Sequence, residues 1–166
     1  MLQSGKHLKT ILIAAFLMIA ASITCNAQTV HVYRKNSTMS SDIICTFRDG
    51  KLFEGNSTSG YDILCTINNG KIYRGNSTFS YNIEYSIANH SVYQGASTYT
   101  EDIIFCKRGD RLYRHNSSMS SAIIANINGY RVYRGDWSFS SDLLFYFDGP
   151  YDFEQLAAVL LYAKTL

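Results

Sequence analysis

The chain has 166 residues, with 15 lysines and arginines against 13 acidic residues and a pI of about 8.3. Both excess basic residues, Lys6 and Lys9, lie before residue 28, so the 139 residues from 28 to 166 carry 13 charges of each sign. Without a basic field this part of the chain lacks the electrostatic pattern of a nucleic-acid-binding protein, but it is long enough for one domain with a core.

The first 27 residues are typical of a secretory signal peptide. Two lysines precede the uncharged apolar run at 11–23, and small residues follow it. This run is shorter than the roughly 20 residues that a membrane-spanning helix needs. We therefore expect residues 1–27 to be removed and the mature chain, which starts at Gln28, to be exported to the periplasm, the cell surface or the medium. Lipid attachment at Cys25 is the less favoured alternative, and no transmembrane segment is expected in the mature chain.

From residue 30 the chain repeats a twenty-residue pattern six times without a gap, as in GKLFEGNSTSGYDILCTINN at 50–69 and GKIYRGNSTFSYNIEYSIAN at 70–89. A fixed period of this length indicates a repeat architecture. Each repeat holds two short segments rich in β-branched and aromatic residues, which predict two strands. The residue pairs between them, such as Asn69-Gly70, favour two-residue hairpin loops.

A two-residue loop fixes the register of a hairpin and therefore predicts which residues share a face. With the first loop at Asp49-Gly50, the predicted core face holds Ile43, Cys45, Phe47 and Leu52. The predicted opposite face holds Ile44, Thr46 and Phe53. Between hairpins, one position in each connecting segment is expected to insert as an anchor: Met39, Ser59, Phe79, Tyr99, Met119 and Phe139.

The repeat domain at 28–150 is predicted to be all-β, with six tandem hairpins arranged as a closed ring. Complete hairpins are predicted at 43–53, 63–73, 83–93, 103–113 and 123–133. Segments 30–34 and 142–147 are left without hairpin partners, and we expect them to pair and join the two ends, because a closed ring removes exposed strand edges. An open solenoid of hairpins is the alternative.

The pattern stops at Pro150, and residues 151–166 are predicted to form a C-terminal helix on the same domain. Asp152 suits the N-cap, and Gln155 completes a capping-box spacing. The segment 154–165 is apolar enough to be buried, so we expect it to act as a plug or end cap for the hairpins.

These residues suggest a family. Tandem hairpins of the form DGKIYRGNST, followed by a Gly-Pro pair and the Ala/Leu-rich segment DGPYDFEQLAAVLL, resemble the bacterial β-flower repeat proteins. The resemblance covers about 30–166. It implies hairpins arranged like petals about an axis, and it implies no particular activity.

No set of residues at catalytic or metal-binding spacing is present in the sequence, so we predict a protein that is not an enzyme and needs no cofactor. Cys45 and Cys65 occupy the same position of adjacent repeats. Equivalent residues lie two strands apart, roughly 9.5 Å, whereas a disulfide needs Cα atoms within about 7 Å. Buried free thiols are therefore favoured for these two cysteines, although converging hairpins would bring them closer.

The candidate ligand-binding residues are a repeated pairing of tyrosine with arginine. They are Tyr33, Tyr73, Tyr93, Tyr113 and Tyr133, with Arg34, Arg74, Arg114 and Arg134. Packing of the second sheet face is the favoured role of the tyrosines, and stacking on sugar rings or on a quaternary ammonium is the alternative. We therefore expect an exported, non-enzymatic module with a structural or binding role. The alternative function is carbohydrate or cell-wall binding, with a cell-surface glycan or protein as partner.

Overall fold

The computed structural model describes residues 28–163, so the predicted signal peptide lies outside the described residues. Within these residues twelve strands follow one another: β1 (Val30–Arg34), β2 (Ile43–Arg48), β3 (Lys51–Glu54), β4 (Ile63–Asn68), β5 (Lys71–Arg74), β6 (Ile83–Ala88), β7 (Ser91–Gln94), β8 (Ile103–Arg108), β9 (Arg111–Arg114), β10 (Ile123–Asn128), β11 (Arg131–Arg134) and β12 (Leu143–Phe147). Helix α1 spans Phe153–Tyr162. Each strand pairs antiparallel with its neighbours in the sequence.

The hairpin loops have the geometry that their residues favour. Asn69 and Gly70 both have positive φ, at 50° and 69°, as a type I′ turn requires. Gly109 and Gly129 have positive φ at the first loop position alone, as in type II′ turns. Their backbone twist matches that of the flanking strands, so each hairpin forms with the register predicted from the sequence.

The two ends of the sheet meet, and the predicted ring is closed. Strand β1 pairs with β12, with Val32 opposite Phe147 and Tyr33 opposite Tyr146. On its other side β1 pairs with β2. Each of the twelve strands in the described part of the chain therefore has two partners, and none of these strands has an open edge. The expected all-β ring of six hairpins is confirmed, and the open solenoid is not adopted.

Each repeat contains a β-bulge that corrects the predicted faces. Where one hairpin pairs with the next, the register skips one residue, as at Leu64 between the pairs Leu52–Cys65 and Phe53–Ile63. An extra residue in one strand reverses the alternation of side chains beyond it. The skipped residues Ile44, Leu64, Ile104, Ile124 and Leu144 therefore pack on the central core. In contrast, Ile103 packs with outer residues Tyr93 and Cys106.

The segments that connect successive hairpins, here called links, fold against the outside of the barrel. They span 35–42, 55–62, 75–82, 95–102, 115–122 and 135–142, and each ends in a short 3-10 turn. The Thr46 hydroxyl donates to the carbonyl of Gly55 at 2.8 Å. The Tyr146 hydroxyl donates to the carbonyl of Ser37 at 2.7 Å. Links held in this way bury much of the outer sheet face.

Helix α1 fills the centre of the barrel. The side chain of Asp152 accepts from the backbone N–H of Gln155 at 2.8 Å, and the reciprocal bond completes the expected capping box. Leu156, Ala157, Ala158, Val159 and Leu160 are buried in one cluster with the inward residues of the strands. The helix is therefore a plug at the axis, as expected. No helix within residues 28–163 is long and apolar enough to cross a membrane.

The plug has two distinct ends. It begins at the end of the barrel that carries the hairpin loops, here called the turn mouth, where the Tyr151 hydroxyl donates to the Gly129 carbonyl at 3.0 Å. It ends at the opposite opening, the link mouth, where the Tyr162 hydroxyl donates to the carboxylate of Glu84. These two openings and the outer surface of the links are the surfaces that the fold offers to a ligand.

Candidate functional site

The repeated tyrosines lie on the outer face of the barrel, beneath the links. Tyr73, Tyr93 and Tyr133 are buried, whereas Tyr33 and Tyr113 are partly exposed. The Tyr33 ring stacks on Tyr146 with centroids 5.1 Å apart, across the pair of strands that closes the ring. Three of the five candidate tyrosines therefore offer little ring surface to a ligand, and their contacts are those of packing residues.

The repeated arginines lie at the link mouth and are exposed. Arg34 and Arg134 line the same cavity of about 430 Å³, whose wall includes Ile44, Leu144 and Ala163. Within residues 28–163, neither guanidinium has a carboxylate within salt-bridge distance. The structure thus brings two of the four candidate arginines together in a basic sector beside the end of the helix.

Arg74 differs because it is engaged within the protein. Its Nε donates to Glu84 at 2.6 Å, and Glu84 also accepts from the hydroxyl of Tyr162. The hydrogen bond and charge of Glu84 raise the pKa of Arg74. Burial, followed by the hydrogen bond to Glu84, raises the pKa of the Tyr162 hydroxyl. This triad holds the end of α1 in place. Arg114 is exposed at the equivalent position of another repeat.

The turn mouth holds a second cavity, of about 520 Å³. Lys107, His90, Tyr151 and Phe153 are among its lining residues. Phe153 contacts the His90 ring, with centroids 5.7 Å apart. Lys107 replaces the apolar residue that most repeats have at this position, and its place at the mouth leaves its ammonium partly exposed to solvent.

The most exposed apolar side chains are on the links, where the sequence predicted inserted anchors. At the anchor position Met39, Phe79, Tyr99, Met119 and Phe139 are 61% to 71% exposed. The anchor prediction was wrong, because polar bonds within the links hold the backbone of the turn. Three links have a serine bonded to an aspartate, as in Ser57 to Asp62 at 2.6 Å, and the third has Ser77 bonded to Asn82. The link is therefore fixed by its polar residues and turns its apolar side chain to solvent.

Two links present aromatic pairs. The rings of Phe79 and Tyr81 are parallel within 5°, with centroids 5.5 Å apart. The rings of Trp137 and Phe139 lie within 22° of parallel, at 6.1 Å. All four side chains are more than 60% exposed. Neither Tyr81 nor Trp137 was predicted from the sequence as a candidate. The size of the side chain at the anchor position varies, from serine in one repeat to phenylalanine in another, whereas a packed core position keeps a similar size. This variation was the signal in the sequence that indicated exposure.

The cysteines are unsuited to nucleophilic chemistry. Cys45, Cys65 and Cys106 are buried free thiols. Burial raises the pKa of Cys65 to about 12 and raises that of Cys45 further, so both remain protonated at neutral pH. Within the described part of the chain, no three His, Cys, Asp or Glu side chains cluster as metal ligands would.

Comparisons with known proteins agree with this architecture. A family model described as a 6-fold beta flower protein matches residues 32–160. No curated protein and no solved structure matches the chain. The match covers more than three quarters of the chain, and the six hairpins closed about an axis are the arrangement that its description names. The chain belongs to the six-fold beta flower family.

Proposed function

We propose that this protein is an exported, non-enzymatic binding module. The single observation that carries the proposal is the exposure of large apolar side chains at the same position of five links, between 61% and 71%. Solvent-exposed apolar groups cost solubility, and their recurrence at the same position of five links makes the link surface the candidate contact surface for a partner. The closed barrel with its buried plug holds these links in fixed positions, as a rigid scaffold holds binding loops.

Export is proposed from the basic, apolar and small-residue segments that precede Gln28. Mass spectrometry of the protein purified from the medium or periplasm tests it. A chain beginning at Gln28 supports the proposal. A chain beginning at Cys25 with the added mass of acyl groups would replace it with a lipid-anchored protein.

Carbohydrate is the partner class that the links favour. The aromatic pairs offer flat, exposed ring faces, and hydroxyl and amide groups of Asn, Ser and Thr surround them in the links. Sugar rings present C–H groups that pack on such faces, while their hydroxyls bond to neighbouring polar groups. The tyrosine column named from the sequence remains a candidate at its partly exposed members, Tyr33 and Tyr113.

A glycan array probed with the purified protein tests the partner class. We expect retention on a subset of neutral glycans, and loss of that retention when the link aromatics are replaced by serine. Retention that depends on Tyr33 and Tyr113, and not on the links, would assign binding to the tyrosine column. No retention on any glycan would leave proteins as the partner class.

A further inference from the structure

We propose that the third and sixth links form two sugar-binding platforms on opposite sides of the barrel, so that one molecule bridges two glycan chains. This inference rests on the carbohydrate-binding function proposed above. The first platform is the pair Phe79 and Tyr81. The second is the pair Trp137 and Phe139.

The topology places the two platforms opposite each other. The third link joins β5 to β6, and the sixth joins β11 to β12. In the closed strand order, six strands separate the two links in either direction around the ring. Twelve strands about 4.8 Å apart form a barrel roughly 20 Å across its backbone. One sugar ring therefore cannot touch both platforms.

Both links lie against the outer face, so their platforms point away from each other. The third link is bonded to the barrel through the Thr66 hydroxyl, which donates to the Gly75 carbonyl at 2.8 Å. The sixth is bonded through the Asn126 amide, which donates to the Ser138 hydroxyl at 3.2 Å. Because each link is fixed to a closed barrel, the angle between the platforms is fixed as well.

The chemistry of the platforms fits a neutral pyranose polymer. The third link, GNSTFSYN, has no charged side chain. In the sixth link the carboxylate of Asp136 is bonded to the guanidinium of Arg111. In each pair the two rings are stacked and nearly parallel, and both side chains are more than 60% exposed, so each pair presents exposed ring faces on which a sugar unit can pack. The other four links lack such a pair of parallel rings.

Two other occupants fit the geometry less well. A stable protein interface buries about 800 Å² on each partner, and a pair of rings supplies only a fraction of that area. A lipid bilayer is flat, so platforms on opposite sides of a barrel cannot both rest on the same surface. The two separate pairs of exposed rings are therefore assigned to glycan chains.

The test is a bridging assay with the purified protein. Chitohexaose and cellohexaose are each attached to a surface and to fluorescent beads, and the protein is added between them. Binding to the surface and capture of beads are measured separately. One variant removes the first platform, by Phe79→Ser with Tyr81→Ser. A second removes the other platform, by Trp137→Ser with Phe139→Ser, and a third carries all four substitutions. The matched control, Tyr99→Ser, removes an equally exposed aromatic side chain that has no parallel partner.

We expect the wild type and Tyr99→Ser to bind the surface and capture beads. Each single-platform variant should bind the surface with an affinity per remaining site within about twofold of the wild type. Its capture of beads should fall at least tenfold. The variant without platforms should lose both. Surface binding by the wild type without bead capture would overturn the bridging proposal while leaving carbohydrate binding intact. Bead capture by the single-platform variants, as a self-associating protein would give, would overturn it too. Absence of binding to either glycan would overturn both proposals.

Discussion

Two independent structural constraints, a positive φ and a close backbone contact, favour glycine at position 70. Gly70 has φ of 69° in its hairpin loop, and a Cβ built on it would lie 2.8 Å from the carbonyl oxygen of Ile87 in the next hairpin. That carbonyl belongs to a residue whose own N–H donates to the Gly70 carbonyl at 2.7 Å. The loop of one hairpin is therefore in contact with the strand of its neighbour, so a local turn residue also supports the packing of repeats.

Replacing Gly70 with alanine should destabilise the protein more than the same change at Gly95. Gly95 also has positive φ, at 63°, but a Cβ there meets no atom within 4 Å. Other repeats hold His90 and His115 at these two positions with positive φ, so backbone strain of about 1–2 kcal/mol applies at either position, and the clash adds to it at Gly70 alone. Urea unfolding of the two variants measures the difference. Equal losses would mean that the contact with Ile87 does not constrain the loop.

The buried thiol of Cys65 should make stability depend on pH in the alkaline range. Burial, and then the charge of Glu84, raises its pKa from 9.0 to about 12. The folded state thus favours the neutral thiol, so its contribution to stability is complete below about pH 9 and is lost as the pH rises toward 12. We expect the free energy of unfolding to fall more steeply from pH 8 to pH 10.5 in the wild type than in Cys65→Ala. Parallel pH profiles would contradict this assignment.

At the scale of elements, helix α1 is stabilised at both ends by polar contacts and along its length by apolar ones. Asp152 and Gln155 cap its start, and Tyr162 bonds to Glu84 at its end. Glu84 replaces the isoleucine or leucine that the other repeats have at this position. The third repeat therefore differs from the others at the residue that bonds to α1, and the helix contacts the six repeats unequally.

Tyr162→Phe should lower the free energy of unfolding by about 1.5 kcal/mol, because it removes a partly buried hydrogen bond to a carboxylate. The double variant Glu84→Ile with Tyr162→Phe should recover part of that loss, since it replaces both partners with apolar groups and restores the residue typical of the other repeats. Thermal and urea unfolding of the single and double variants measure the coupling. Additive losses in the double variant would show that the two side chains do not stabilise each other.

The capping box, the two-residue loops and the pairing of adjacent repeats could be predicted from sequence because each depends on residues a few positions apart. The bulge at Leu64 and its equivalents could not, because alternation of apolar residues gives no sign of an unpaired residue when positions 63 and 64 are both apolar. The exposure of Phe79 also escaped prediction. Its link is fixed by bonds between Ser77 and Asn82. The fold of the link therefore does not depend on burying the apolar side chain of Phe79.

At the scale of the whole molecule, closure joins the first and last strands of the chain. Val30 and Val32 of β1 are buried in the common core, and Asp148 beyond β12 accepts from the backbone N–H of His31 at 2.7 Å. Closure therefore supplies apolar burial as well as backbone pairing. It also gives the platforms of the third and sixth links a fixed separation, on which the proposed bridging depends.

Removal of residues 28–35 should lower the free energy of unfolding by at least about 3 kcal/mol. The deletion takes two buried valines, worth about 1.5–3 kcal/mol each, and exposes the edges of β2 and β12. A chain that starts at Val30 is the control, because Gln28 and Thr29 are exposed. Equal melting temperatures for the wild type and the deletion of 28–35 would argue against a structural role for β1.

The closed ring is tested most directly by nuclear magnetic resonance contacts between the two ends of the chain. Closure predicts cross-strand nuclear Overhauser effects between Tyr33 and Tyr146 and between Val32 and Phe147. It also predicts slow exchange of the Asp148 amide, which donates to the His31 carbonyl at 3.0 Å. Contacts of β1 with β2 alone, with a freely exchanging Asp148 amide, would contradict closure.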